Sequence, residues 1–71
     1  MVRLDLLEEE VRNSGLTRQA IATKLGLTPQ GLAKKFKGES HFKVDEAQEL
    51  AKILHLSDAR RGEIFFASES D

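Results

Sequence analysis

With 71 residues, of which 39% are hydrophobic, the chain has the material for one small domain of low burial fraction, which leaves no room for a deep catalytic cleft. Cysteine is absent, so neither a disulfide framework nor a thiolate metal site holds the fold, and no apolar run approaches the roughly 20 residues of a membrane span. The formal net charge of −1 conceals a polarised chain: residues 1–16 carry −2, residues 44–71 carry −4, and residues 17–43 carry +5 through Arg18, Lys24, Lys34, Lys35, Lys37 and Lys43 against Glu39 alone. A charged partner feels a field only within about 10 Å at ordinary salt, so the basic middle segment matters more than the total. Arg3, Asp5 and the acidic run after them leave no signal-peptide hydrophobic region, and a soluble cytoplasmic protein is expected.

Leu4, Leu7 and Val11 recur at helical spacing and predict a first amphipathic helix, with Asp5, Glu8, Glu9 and Arg12 facing water and Asn13, Ser14 and Gly15 ending it. Thr17 caps a second helix in which Ile21 and Leu25 lie one turn apart beside Ala22, and Gly26 terminates it. Thr28 caps a third, with Pro29 at the first helical position where its missing N–H costs nothing; Leu32 and Phe36 form its buried stripe, and it stops at Gly38. After a loop from Glu39 to Lys43, the positions Val44, Ala47, Leu50, Ala51 and Leu54 predict a fourth helix with Glu46 in its first turn. Ser57 caps a fifth, which carries Ile64, Phe65 and Phe66 near its end. No stretch alternates as a half-buried strand must, so the chain reads as all-α: one domain over residues 1–67, followed by a small, acidic tail at 68–71 expected to be disordered.

Two helices joined as closely as the second and third cross steeply, and Ala22 and Gly26 are the small residues such a joint requires. Ala22, Gly26, Leu27, Leu32 and Phe36 together resemble the helix-turn-helix of the phage Cro/CI, or lambda-repressor-like (XRE), superfamily. The segments FKVDEAQELAKIL and SDARRGEIFFA are similar to the last two helices of small phage repressor-like proteins, so the resemblance spans roughly residues 4–67. It implies a compact five-helix domain whose reading helix, Thr28 to Lys37, enters the major groove of double-stranded DNA. Thr28, Gln30, Ala33 and Lys34 would then face base edges, with Gln30 suited to adenine, Lys34 to guanine and Ala33 to a thymine methyl. Arg18, Lys24, Lys35, Lys37 and Lys43 would serve phosphates, the stem of Lys35 covering the core while its ammonium reaches outward. Many family members place glutamines where this chain has Arg18 and Pro29, so sequence reading at that point falls to Thr28 or Gln30.

Other chemistry is poorly supported. His41 and His55 have no ligand set spaced for a metal, and the serines have no histidine and carboxylate at a motif spacing. Glu8, Glu9 and Glu10 fan about 100° apart on a helix and form no close carboxylate pair. No enzyme and no cofactor is expected. Ile64, Phe65 and Phe66 exceed what one small core buries at the end of a short helix; they suggest a homodimer contact, or else Ile64 and Phe65 close the core while Phe66 covers its base. The resulting expectation is a sequence-specific transcriptional regulator, most simply a phage or prophage repressor that occludes a promoter as a dimer. The alternative is a protein–protein module on the same scaffold, such as an antirepressor whose acidic first helix docks on a partner repressor.

Overall fold

Each of the five apolar stripes folds as a helix. The computed structural model describes residues 2–66, and within them the chain forms α1 (Leu4–Ser14), α2 (Arg18–Leu25), α3 (Pro29–Phe36), α4 (Val44–Ile53) and α5 (Asp58–Phe65). The expected domain boundary at residue 67 and the acidic tail at 68–71 lie outside the described residues. Three helix starts depend on the hydroxyls expected there. Thr17 Oγ1 accepts from Ala20 N at 3.0 Å, Thr28 Oγ1 from Gly31 N at 3.0 Å and Ser57 Oγ from Arg60 N at 3.1 Å. Each satisfies a backbone donor that a helix N-terminus otherwise leaves unpaired.

The five largest fully buried side chains are Leu7, Ile21, Leu32, Leu50 and Ile64, one from each helix. No helix is therefore a peripheral addition: each inserts one large aliphatic group into a common core, and burial of each contributes about 1.5–3 kcal/mol. The Cα radius of gyration of 11.2 Å matches the roughly 11 Å expected of a compact chain this long. The loop between α3 and α4 adds Phe42, whose ring meets Phe36 edge-on at 5.9 Å and Phe65 edge-on at 6.1 Å. This aromatic chain ties α3 to α5 through a residue that belongs to neither.

The tight α2–α3 connection is built on Gly26, whose φ of +73° is strained for a side chain but not for glycine. The left-handed turn brings Leu27 N within 2.8 Å of Ala22 O and Gly26 N within 3.1 Å of Thr23 O, closing the end of α2. Ala22 is 1% exposed, so its single methyl is what the packed joint accommodates.

Three side chains depart from the sequence reading. Val44, expected in the buried stripe of α4, is 69% exposed, because it is the first residue of that helix and the core ends a turn further along, at Ala47. Ile64 and Phe65, partner contacts under the dimer reading, instead close the core as the alternative had it: Ile64 is fully covered and Phe65 packs against Phe42. Arg3 N also donates to Ile64 O at 2.7 Å, which joins the start of α1 to the end of α5. Of the three apolar residues, Phe66 alone stays exposed, and it shares a small groove with Val44 and Arg61.

Candidate nucleic-acid interface

α3 has two faces. Leu32, Phe36 and Lys35 turn into the domain, while Thr28, Gln30, Lys34 and Lys37 are exposed and Ala33 is half-buried at the margin. Thr28 Oγ1 is occupied as the helix cap, yet a hydroxyl also carries a proton to donate, so capping leaves it able to donate outward. Gln30 makes no side-chain hydrogen bond among the described residues, which leaves its amide free to donate and accept at one edge of a partner.

The cations near this face divide by pairing. Lys24, Lys34, Lys37 and Lys43 are exposed and make no ion pair among the described residues. Arg18, at the start of α2, is held by Glu8 of α1, and its guanidinium lies 4.7 Å from the centre of the Phe36 ring. Lys35 runs the other way. It is 8% exposed, and its ammonium meets a Glu46 carboxylate oxygen at 2.9 Å and the His41 carbonyl at 2.8 Å. Glu46 also accepts from Lys43 N at 2.9 Å, capping the start of α4. Burial pushes the Glu46 carboxyl up, but the Lys43 amide and the Lys35 ammonium more than offset this and hold it below the ordinary carboxylate value. The expected phosphate contact from Lys35 is therefore corrected: its charge is spent inside the fold, latching the end of α3 to the start of α4.

On the opposite side, carboxylates outnumber their partner. Arg60 of α5 bonds Glu10 at 2.7 Å, Glu9 at 3.0 Å and Glu63 at 2.8 Å, and Glu10 and Glu63 hold it above its ordinary pKa. The consequence is structural, since an arginine is charged at any accessible pH.

A short glycine-turned joint, a capped second helix with an exposed polar start and nearby lysines unpaired among the described residues are the features of a DNA-reading helix pair, and residues 7–59 match the helix-turn-helix family. The chain belongs to that family, in its lambda-repressor-like, XRE form. No curated protein and no solved structure matches it. The helix-turn-helix assignment makes it a DNA-binding regulator of a family that is typically non-enzymatic, with α2 and α3 as the motif. Among the described residues, no helix is long and apolar enough to cross a membrane.

Sequence reasoning did not find three contributors to this helix-turn-helix site: Glu8, Glu46 and Phe42. Each acts across a gap in sequence, on Arg18, on Lys35 and on the Phe36 and Phe65 rings respectively. The one local signal was Glu46 three residues after Lys43, the spacing at which a glutamate reaches back to the amide preceding a helix.

Proposed function

We propose that this chain is a sequence-specific repressor of the phage or prophage type, which binds an operator through α3 as a homodimer and blocks a promoter by occupying it. The observation that carries the reading is the set of four exposed lysines on and beside the α2–α3 unit, unpaired among the described residues, in a chain whose flanking segments are net acidic. Unpaired cations release condensed counter-ions from a duplex when they bind, whereas cations already neutralised within the protein contribute little. Gln30 reads adenine through a bidentate amide contact, Lys34 reaches guanine O6 and N7, Ala33 meets a thymine methyl, and Thr28 donates its hydroxyl proton nearby. Lys24, Lys37 and Lys43 hold phosphates and set the register.

The homodimer contact falls to Phe66, with Val44 beside it, the two large hydrophobic side chains exposed among the described residues. A two-fold pair places its reading helices in half-sites about 34 Å apart. Phe66→Ser shifts the sedimenting mass to the monomer under this reading; a dimer that persists in that variant removes α5 from the interface. The antirepressor alternative, an acidic α1 docking on a partner repressor, would have to compete with Arg18 and Arg60 for Glu8, Glu9 and Glu10.

The test of DNA reading is Lys34→Glu, followed by fluorescence anisotropy on labelled duplex. An exposed side chain whose charge is reversed leaves the fold intact, and affinity falls about 100-fold. Unchanged affinity rejects α3 as the reading helix.

A further inference from the structure

Arg18 is the one cation of the motif that is both exposed and paired. It begins α2, the helix that crosses the DNA backbone in a helix-turn-helix complex, so its natural external partner is a phosphate. Its guanidinium is instead held by Glu8 of the preceding helix and stacked on Phe36. Both side chains of the pair are solvated, Arg18 at 52% and Glu8 at 39% exposure, so the contact is exchangeable rather than locked.

We propose that Glu8 is an internal competitor for DNA: it holds Arg18 as its counter-ion, and a phosphate must displace it before Arg18 contributes to binding. This rests on the DNA-binding reading above and adds a residue outside the motif that sets its affinity. The geometry supplies the return path. Arg12 lies four residues after Glu8, on the same face of α1, is exposed, and makes no ion pair among the described residues. When Arg18 turns outward, Arg12 takes over the stranded carboxylate at the spacing that favours helical ion pairs. The guanidinium is itself the group stacked on Phe36, so the movement is a pivot of that one group between two anions beside the ring.

In the wild-type domain Arg18 is therefore divided between Glu8 and phosphate, and it displaces fewer of the duplex's counter-ions than a free cation does. With Glu8 neutralised, Arg18 is already free and behaves as an additional phosphate contact. Affinity rises, and the dependence of log K on log salt steepens by up to about 0.9.

The experiment is a set of anisotropy titrations across a salt series on one mixed-sequence duplex, using wild type, Glu8→Gln, Arg18→Gln and the double variant. Thermal melts establish that each is folded, as expected when an exposed pair is altered. Glu8→Gln binds about fivefold more tightly at low salt with the steeper slope. Arg18→Gln changes wild-type binding little, yet removes the whole gain when added to Glu8→Gln. Equal affinity and slope for Glu8→Gln and wild type overturn the proposal, as does an Arg18→Gln loss that is the same in both backgrounds. If Lys34→Glu abolishes binding in the same assay, either of those results counts against Glu8 alone. If no variant binds duplex even at low salt, the DNA reading fails and this proposal fails with it.

Discussion

The α1–α5 side and the α3 side of this domain both carry cations on helices, and they differ in what surrounds them. On the first, Arg60 sits among Glu9, Glu10 and Glu63 and is more than neutralised by them. On the second, Lys24, Lys34, Lys37 and Lys43 are exposed and make no ion pair among the described residues. Arg60 joins two helices of the protein; the lysines are available to something that is not the protein. The difference teaches that the sign of a segment's charge indicates a class of partner, while pairing in space decides which residues meet it.

That division is sharpest between Lys35 and Lys37, two lysines two positions apart, and substitution separates them. The largest effect is expected from Lys35→Met, which leaves the largely covered Glu46 carboxylate without its cation. Urea unfolding of this variant shows a loss of about 3 kcal/mol, the scale of breaking a buried ion pair from one side, while the salt slope of DNA binding in the folded fraction is unchanged. A flattened slope with intact stability would return Lys35 to the phosphate contacts. Next comes Lys37→Ala, for which the account expects the reverse: a melting temperature equal to wild type, weaker duplex binding, and a salt slope reduced by about 0.9. A slope equal to wild type would mean that Lys37 touches no phosphate.

The smallest effect concerns acid. The Glu46 carboxyl is held below its ordinary value in the folded protein, so the stability it contributes is fully present above the unfolded carboxylate pKa and is lost as pH falls through the lower, folded one. Urea titrations below the ordinary glutamate range therefore show wild type losing stability faster than Glu46→Gln. Asp5, held low by its hydrogen bond to Arg3, contributes equally to both curves. Parallel acid limbs would place the coupling elsewhere.

The helices and their joints were legible because their causes are local. Thr17, Thr28 and Ser57 cap within three residues of themselves, and Gly26 turns on its own φ. The exposed face of α3 was legible for the same reason, since Leu32 and Phe36 orient the helix and the positions between them follow. Lys35 was not, because a lysine flanking a buried stripe can extend either way, and what draws it inward is Glu46 on another helix. Val44 misled because periodicity gives a direction around a helix but not where along it the core stops. Phe65 and Phe66 differ only in which meets Phe42, a loop residue whose position no pattern in the chain specifies.

The central claim is that DNA docks on the α2–α3 face through unpaired lysines. It is tested most directly by following amide chemical shifts of the labelled domain during titration with mixed-sequence duplex at low salt, and again at higher salt. The account predicts shifts confined to the segment from Thr17 to Lys43 that fade as salt rises. Shifts centred on Arg60 and α5, or no shifts at low salt, would contradict it.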